Sequence, residues 1–307
     1  MSLLLAIPNR NIERLEAQLQ AQLGADKVQV WPNIVDAEGV DMVLGWQVPE
    51  ELWSQLPNVR AVMSFGAGVD GLNLAAIPAH LPVGRIVDPE LAADMAEYVL
   101  TQVLLHKTNM PRYMHQQEQQ VWRPKRVRSH NRVGLLGFGQ LGQAIAKRLS
   151  ANGCSVMAYS NGAKTDSDEV QHFHGELGLN TMLAQSDYLV CILPLTEQTR
   201  GIINADLLAK LPDHAVVINV GRGAHVVEED LLAALQAQQL GGASLDVFNQ
   251  EPLPAEHMFW QTPNLIVTPH CSALSRIDTV VEQVVTNYQR LQRGEALLHC
   301  IDRQRQY

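Results

Sequence analysis

Residues 137–142 read Gly137-Phe138-Gly139-Gln140-Leu141-Gly142, and they directly follow the apolar run of residues 133–136. Apolar side chains then recur at helical spacing, so the order is strand, glycine turn, helix. In such a turn the first glycine permits a tight bend, the second lets the backbone approach a pyrophosphate, and the third lets helix and strand pack closely. The stretch predicts a dinucleotide-binding α/β domain, with a ligand-free glycine turn as the plainer alternative.

Length and composition indicate a globular protein of about two domains. The chain has 307 residues, of which 46% are hydrophobic and 18% charged, and its formal net charge is -9. No stretch reaches the ~18 unbroken apolar residues of a membrane span, and the net charge opposes a nucleic-acid backbone. Residues 123–132 are basic but lack interleaved aromatics, so we interpret them as a basic loop. Neither a membrane nor a nucleic acid is expected as a partner.

The cysteines favour a reducing compartment. Cys154, Cys191, Cys271 and Cys300 lie far apart, with no C-x-x-C motif, so reduced thiols in a cytoplasmic protein are expected and no metal site is predicted. The apolar run at residues 3–7 stops at Pro8 and lacks a preceding basic segment, so we interpret it as a strand and not as a signal peptide.

Two series of short apolar runs alternate with helical patterns, as in βαβ units. The runs are residues 3–7, 28–31, 42–46, 61–65 and 83–87, then 133–136, 155–159, 188–193, 215–220, 243–248 and 265–268. Many are apolar at consecutive positions, which is typical of strands covered on both faces of a parallel sheet. Long helices are predicted at residues 91–108 and after Ser275, which is a candidate N-cap. The pattern predicts an α/β protein with two parallel sheets.

Polar residues follow three of the predicted strands, at the edge where open α/β sheets bind ligands. Arg222 stands between two glycines, where its fork could hold a carboxylate. Asp246 and Glu251 follow the next run, and His270 follows the last, where an imidazole is well placed for proton transfer. Each also has a plainer interpretation as a turn, cap or surface residue.

Taken in order, these segments resemble the D-isomer-specific 2-hydroxyacid dehydrogenases over nearly the whole chain. The resemblance rests on the glycine turn and on residues 65–70, 193–196, 219–223, 245–252 and 268–270. Within the family, residues 44–46, 225–228 and 301–303 look most like those of bacterial members that reduce glyoxylate and hydroxypyruvate.

The resemblance implies a Rossmann-like doubly wound parallel sheet plus a smaller flavodoxin-like α/β substrate domain. Residues 98–272 would form the NAD(P)-binding domain, residues 1–97 and 273–307 the substrate domain, and the active site would lie in the cleft. The helix at residues 91–108 and the following loop with Trp122 would form a homodimer surface.

The implied reaction is reduction of a small 2-oxo acid, such as glyoxylate to glycolate or hydroxypyruvate to D-glycerate, by a nicotinamide coenzyme. His270 would donate the proton and Glu251 would hold it, since a nearby carboxylate favours the imidazolium. Arg222 would bind the carboxylate and carbonyl oxygen.

Three further residues are implied to bind the substrate. The backbone N–H groups of Ala67 and Gly68 would bind its carboxylate, and Trp46 is a candidate wall of the pocket. An aromatic residue at a strand end is as often part of the core.

The coenzyme would contact the glycine turn, the segments that follow the neighbouring strands, and Asp246, which would face the carboxamide. These contacts comprise Gly137, Phe138, Gly139, Gln140, Leu141, Gly142, Ser160, Lys164, Leu193, Pro194, Val220, Gly221 and Asp246. No acid stands within residues 159–164, where NAD-selective sites place one on the ribose hydroxyls, so NADP is favoured and NAD is the alternative. The nearby acids Asp166, Asp168 and Glu169 weaken the electrostatic case for NADP. Enteric reductases of this type carry basic residues where this chain has Asn161-Gly162-Ala163, which leaves only Lys164 to attract a 2′-phosphate.

Other functions remain open at this point. The chain could have another 2-hydroxyacid specificity, or it could be a nucleotide-sensing binding protein without turnover on the same fold. A nucleotide-dependent methyltransferase would explain the glycine turn but not Arg222, Glu251 and His270.

Overall fold

Two compact α/β units make up the protein in a computed structural model, which describes residues 1–167 and 169–304. One unit comprises Met1–Pro89 with Ser275–Tyr307, and the other comprises Glu90–Leu274. The first division falls after Pro89, whereas the resemblance implied one after residue 97. One continuous helix starts at Pro89, and its buried face packs in the second unit.

The first unit contains a five-stranded sheet with two helices in its amino-terminal part. The strands are β1 (Ser2–Ala6), β2 (Val28–Val30), β3 (Val40–Gly45), β4 (Ala61–Ser64) and β5 (Val83–Gly84), and the helices are α1 (Glu13–Leu23) and α2 (Leu52–Gln55). All neighbours pair in parallel, in the order β2-β1-β3-β4-β5. This is the flavodoxin-like order 2-1-3-4-5, as the resemblance implied.

The second unit contains a seven-stranded sheet and six helices within the described residues. In chain order its elements are α3 (Pro89–Lys107), α4 (Met110–Glu118), β6 (Arg132–Leu136), α5 (Gln140–Ala151), β7 (Ser155–Tyr159), β8 (Val170–Phe173), α6 (Gly175–Gln185), β9 (Tyr188–Cys191), α7 (Ala205–Leu208), β10 (Val216–Asn219), α8 (Glu228–Gln236), β11 (Gly242–Leu245) and β12 (Leu265–Val267). Helix α4 and strand β8 were not among the predicted elements.

The order of this sheet is β12-β11-β10-β9-β6-β7-β8, with every pair parallel. Counted along the chain, that is the doubly wound order 3-2-1-4-5-6 with a seventh strand added. The predicted α/β class with two parallel sheets is confirmed. The glycine turn follows β6, where the strand order reverses, and the segments with Arg222, Asp246 and His270 follow β10, β11 and β12 at the same carboxyl edge.

Helix α9 (Ile277–Gln292) returns the chain to the first unit. Its buried face, which includes Val280, Val284 and Tyr288, belongs to the same apolar cluster as β1, β3 and β4. The predicted N-cap at Ser275 is wrong: the cap residue is Arg276, whose N–H donates to Asp88 Oδ2 at 3.4 Å.

The described residues contain no helix that is both long and apolar enough to cross a membrane. The four cysteines are unpaired, two buried and two exposed.

Arg303 ties the carboxyl-terminal segment to the first unit. Its guanidinium donates to four backbone carbonyls, those of Leu74 (2.6 Å), Ile77 (2.7 Å), Pro78 (2.8 Å) and Leu81 (3.2 Å). These oxygens belong to one loop between β4 and β5, so a single side chain satisfies four acceptors in that loop.

We expect Arg303→Ala to lower the free energy of unfolding by about 1 to 3 kcal/mol, because the four backbone carbonyls would lose their charged hydrogen-bond donor. The measurement is urea-induced unfolding. Arg293→Ala, which removes an exposed arginine paired with Glu295, should stay within about 0.5 kcal/mol of the parent. Equal effects of the two substitutions would contradict the assigned role of Arg303.

Candidate active site

The three glycines within residues 137–142 are each explained by a different feature of their surroundings. Gly137 has a φ of 106°, and a Cβ there would lie 2.9 Å from the Ile192 carbonyl oxygen. A Cβ at Gly142 would overlap the Gly137 carbonyl, whereas one at Gly139 would meet nothing within 4 Å. Packing therefore requires the first and third glycines. The second borders open space at the N-terminus of α5, which begins at Gln140 and Leu141 and offers N–H groups to an anion.

The loop after β7 bends back towards the glycine turn. Lys164 Nζ lies 3.1 Å from the Phe138 carbonyl oxygen and 5.0 Å from the centre of its ring. The Ser160 hydroxyl donates to the Gly162 carbonyl at 3.0 Å. Lys164 therefore lies beside the glycine turn, as a contact to a coenzyme would require. Asp168, which could add negative charge here, lies outside the described residues.

His172 on β8 belongs to the same cluster, and sequence reasoning missed it because β8 was not predicted. Its ring meets Phe138 edge-on at 4.7 Å, and its buried Nδ1 has no hydrogen-bond partner within the described part of the chain. Burial lowers the pKa of His172, Lys164 lowers it further and Asp166 opposes the shift. The His172 ring thus adjoins the glycine turn, with its Nδ1 buried.

The loop after β9 packs against the loop after β10. The Pro194 carbonyl accepts from the Thr199 hydroxyl at 2.7 Å and lies 3.3 Å from His225 Nε2. The Leu193 carbonyl oxygen would lie 3.2 Å from a Cβ at Gly221. Gly221 is therefore confined between the two loops, next to the buried Val220.

The backbone of Arg222 is held from both sides. Asn219 accepts from the Gly221 N–H at 3.1 Å and donates to the Arg222 carbonyl at 2.8 Å. The Arg222 N–H donates to His225 Nδ1 at 3.0 Å, and its guanidinium donates to the Gly221 carbonyl at 2.7 Å. Arg222 thus stands on a fixed turn. Asn219 was not predicted to act here, although its position at the strand end was visible.

The turn at Arg222 and the loop after β11 are in close contact. A Cβ at Gly223 would overlap the carbonyl carbon and oxygen of Phe248. The glycine after Arg222 is therefore required for two adjacent loops of the carboxyl edge to approach each other.

Asp246 organises the loop that carries His270. It is fully buried. Its Oδ1 accepts from the Thr268 hydroxyl at 2.6 Å and the Cys271 N–H at 2.9 Å, and its Oδ2 accepts from the Ser272 N–H at 2.9 Å. Its backbone carbonyl accepts from the His270 N–H at 2.8 Å. The Asp246 carboxylate thus holds this loop together. The prediction that Asp246 contacts the coenzyme carboxamide did not include this structural role.

Tyr98 on α3 extends this network, and sequence reasoning missed it. Its hydroxyl lies 2.6 Å from Thr268 Oγ1. Because Thr268 gives its proton to Asp246, Tyr98 must be the donor in this pair. Burial raises the pKa of Tyr98, so the phenol stays protonated and can donate this hydrogen bond.

His270 and Glu251 form a hydrogen-bonded pair. His270 Nδ1 lies 2.7 Å from Glu251 Oε2, and Glu251 Oε1 accepts from the Phe248 N–H at 3.0 Å. Burial alone would raise the pKa of Glu251, but hydrogen bonds from His270 and Phe248 and the charges of His270 and Arg222 hold that pKa below its ordinary value. His270 Nε2 has no partner among the described residues. The site therefore presents an imidazole nitrogen that can exchange a proton with a ligand.

In the first unit, Trp46 packs over a glycine-rich loop. A Cβ at Gly66 would lie 3.0 Å from the Trp46 ring, and one at Gly71 would overlap it. Arg10 lies over the same ring, 5.4 Å from its centre. The ring also borders the core cluster of this unit, so Trp46 is partly a packing residue.

The loop after β4 presents two backbone donors. The Ala67 carbonyl accepts from Arg85 at 3.4 Å and the Gly68 carbonyl from Ser64 at 2.7 Å. The N–H groups of Ala67 and Gly68 donate no hydrogen bond within residues 1–167 and 169–304. These two N–H groups are free to bind an anion.

Comparison with known proteins identifies relatives over the whole chain. Residues 100–272 match the family model described as D-isomer specific 2-hydroxyacid dehydrogenase, NAD binding domain. A glyoxylate/hydroxypyruvate reductase A of Yersinia enterocolitica is 35% identical over 297 residues, 94% of each chain. The enzyme of the same name from Salmonella paratyphi B is 36% identical over 298 residues, again 94% of each chain.

Two solved structures have the same fold throughout. A D-isomer specific 2-hydroxyacid dehydrogenase of Xanthobacter autotrophicus, in complex with NADPH and MES, has a TM-score of 0.92 and 36% identity, and covers 100% of this chain and 99% of its own. An NADPH-dependent glyoxylate/hydroxypyruvate reductase of Sinorhizobium meliloti, in complex with NADP and sulfate, has a TM-score of 0.91 and 36% identity, with 100% coverage of both chains.

The depressed pKa of Glu251 predicts how its contribution to stability depends on pH. The folded pKa lies below the ordinary 4.5, so the contribution is fully present above about pH 4.5 and is lost as the pH falls through the folded value. We expect Glu251→Gln to lower Tm at pH 7 and to have a smaller effect near pH 3.5. Glu256→Gln, an exposed control, should change Tm little at either pH. A Tm difference between parent and Glu251→Gln that grows on acidification would contradict the assignment.

Proposed function

Since this chain belongs to the D-isomer-specific 2-hydroxyacid dehydrogenase family, we propose that it reduces small 2-oxo acids, converting glyoxylate to glycolate and hydroxypyruvate to D-glycerate. The observation that carries the proposal is the His270–Glu251 pair, 2.7 Å apart, at the same sheet edge as the glycine turn. Relatives named for this activity cover 94% of the chain at 35 to 36% identity.

The proposed proton transfer uses His270. Glu251 holds Nδ1, which leaves Nε2 to face the substrate and to carry the proton in the imidazolium form. As C2 of the oxo acid accepts a hydride, its carbonyl oxygen takes the proton from Nε2, and the product is the 2-hydroxy acid. A bound nicotinamide coenzyme supplies that hydride.

Arg222 is proposed to hold the substrate carboxylate and the carbonyl oxygen. Its guanidinium is planar and permanently charged, so it pairs with a carboxylate through two parallel hydrogen bonds. The same charge stabilises the alkoxide that develops on the carbonyl oxygen. Asn219 and His225 fix the turn, so the backbone of Arg222 is already oriented before the substrate binds.

Substrate contacts from the first unit complete the proposal. The free N–H groups of Ala67 and Gly68 are proposed to bind the substrate carboxylate, and Trp46 to limit the size of the group on C2. Another specificity within the family remains the alternative at this step.

NADP is proposed as the preferred coenzyme, with NAD as the alternative. The residues fit a dinucleotide, because Gly139 borders open space while Gly137 and Gly142 are required by packing. Gly137 to Gly142 would hold the pyrophosphate, and Leu193, Pro194, Val220 and Gly221 would line the nicotinamide end. Lys164, with Ser160, would meet a 2′-phosphate. Relatives in complex with NADPH and NADP support this choice.

The other readings have less support. A nucleotide sensor without turnover could keep Arg222, Glu251 and His270, but the relatives at 35 to 36% identity are named as reductases. A methyltransferase function would not explain Arg222, Glu251 and His270. Assays of a panel of 2-oxo acids with NADPH separate these readings, because only the reductase turns over.

A cytoplasmic homodimer is the proposed state. Four unpaired cysteines fit a reducing compartment. Several large apolar side chains are exposed on α3, α4 and the segment that follows, namely Leu104, Met110, Met114, Trp122 and Val127. An apolar patch of this kind favours a protein partner, and a second copy of this chain is the one that the family resemblance implies.

We expect His270→Ala to reduce kcat for glyoxylate by about 10²- to 10⁴-fold, the usual contribution of a general acid. Coenzyme binding, measured by fluorescence titration, should remain, because the glycine turn is unchanged.

Arg222→Lys should lower kcat/KM for glyoxylate by about 10²-fold, since a point charge cannot replace the guanidinium fork. Parent rates in either variant would refute that residue's role.

Coenzyme choice gives a graded prediction. Lys164→Ala should lower kcat/KM for NADPH by a factor of only about 1.5 to 5, the value of one exposed charge pair, and leave kcat/KM for NADH unchanged.

Ser160→Asp should lower kcat/KM for NADPH more than about tenfold, because it places a carboxylate against the phosphate and offers an acceptor to the ribose of NADH. Lys210→Ala, an exposed lysine after α7, is the matched control. A parent enzyme strongly selective for NADH would overturn the assignment.

A further inference from the structure

Arg10 lies at the carboxyl edge of the five-stranded sheet, in the segment that follows β1. The backbone N–H of Trp46 donates to the Ala6 carbonyl at 3.0 Å, and that of Phe65 donates to the Gly45 carbonyl at 3.0 Å. These two hydrogen bonds align the ends of β1, β3 and β4. The segments that carry Arg10, Trp46 and Phe65 are therefore neighbours at one edge of the sheet.

The guanidinium of Arg10 lies over two aromatic rings. Its central carbon is 5.4 Å from the centre of the Trp46 ring and 5.7 Å from the centre of the Phe65 ring. Both rings are half-buried, whereas Arg10 is exposed. An aromatic face attracts a cation without using its N–H groups. The two rings thus restrict the position of the guanidinium and leave its donors available.

No acid neutralises Arg10 in the part of the chain that the structure describes. Its side chain makes neither a hydrogen bond nor an ion pair there. Arg14 on α1 differs, because it pairs with Asp278 at 3.0 Å. A guanidinium presents five N–H groups in a planar fork that fits oxygen acceptors. The donors of Arg10 can therefore bind an oxygen atom of a ligand.

The loop after Phe65 carries further donors and a second positive charge. The backbone N–H groups of Ala67 and Gly68 donate no hydrogen bond within the described residues. The half-buried guanidinium of Arg85 donates to the Ala67 carbonyl at 3.4 Å and pairs with no carboxylate in residues 1–167 and 169–304. Burial lowers the pKa of Arg85. Uncompensated positive charge beside free N–H groups favours an anionic ligand.

We propose that Arg10 is a specificity-determining residue, which binds an oxygen atom on C3 of the substrate. This role rests on the proposed reduction of 2-oxo acids, in which Ala67 and Gly68 bind the C1 carboxylate and Trp46 limits the group on C2. Because Arg10 lies on the Trp46 ring, it meets that same group. The preferred substrates are therefore 2-oxo acids with a hydroxyl or a carboxylate on C3, and the carboxylate binds more tightly because it is charged.

Two matched pairs of substrates test this preference. Hydroxypyruvate differs from pyruvate by one hydroxyl on C3, and oxaloacetate has a carboxylate where 2-oxobutyrate has a methyl group. The measurement is kcat/KM for the four acids and for glyoxylate, with the coenzyme that the parent uses better. We expect the parent to favour the oxygen-bearing acid of each pair at least about tenfold, as one hydrogen bond from a charged donor allows.

Substitutions of Arg10 assign the preference to its guanidinium. Arg10→Met keeps an unbranched side chain over the rings and should reduce both preferences at least about fivefold, mainly through KM, because the hydrogen bond to C3 is lost. Arg10→Lys keeps the charge without the fork and should restore part of the preference for oxaloacetate. Arg14→Met removes another exposed arginine nearby and should leave both preferences within about twofold of the parent.

Three results would overturn the proposal. The parent could reduce both acids of each pair equally well. Arg10→Met could lower kcat/KM for all four acids by the same factor, which would assign Arg10 to general attraction of anions or to folding. Arg14→Met could change the preferences as much as Arg10→Met does, which would assign them to net charge. A parent that reduces glyoxylate but discriminates within neither pair would contradict this role of Arg10 alone, whereas a parent that reduces no 2-oxo acid would also refute the proposed function.

Discussion

The loops at the carboxyl edge of the seven-stranded sheet are held together by the hydrogen bonds of the Asp246 carboxylate. A fully buried negative charge is costly unless hydrogen bonds compensate it. Here the Thr268 hydroxyl and the N–H groups of Cys271 and Ser272 do so, all within 2.9 Å. The loop that carries His270 is thereby folded around one anion. Without that anion, three donors would be left unsatisfied in the interior.

The same network connects elements that are remote in sequence. Tyr98 on α3 donates to Thr268, 170 residues away, so the long helix contacts the loop that carries His270. His270 itself has a φ of 51°, a left-handed conformation that an ordinary side chain adopts only when its surroundings determine it. The hydrogen bonds of the Asp246 backbone and side chain supply those surroundings, and Glu251 then sets the direction of the ring.

Much of this arrangement could be predicted from local pattern. Apolar runs at consecutive positions predicted both parallel sheets, and Gly137 to Gly142 predicted the turn at the point where the strand order reverses. Strand ends placed Arg222, Glu251 and His270 at one edge. The rest depends on contacts that periodicity does not encode. Strand β8 has weak alternation, the residue before α9 contacts Asp88, and the Tyr98 contact depends on how α3 packs. Asp246 was predicted to bind coenzyme, but a carboxylate between three donors is recognisable only in the folded chain.

The activity of Asp246→Asn tests most directly whether this carboxylate positions His270. An amide of the same shape has one acceptor oxygen and places its NH₂ group against the N–H of Ser272 or of Cys271, so the loop loses at least one hydrogen bond and must shift. We expect kcat for glyoxylate with NADPH to fall at least about tenfold, whereas the affinity for NADPH should fall only slightly, because the glycine turn is unchanged and only the carboxamide contact implied for Asp246 is altered. An Asp246→Asn variant that folds, binds NADPH and turns over at the parent rate would contradict the claim that this carboxylate positions His270.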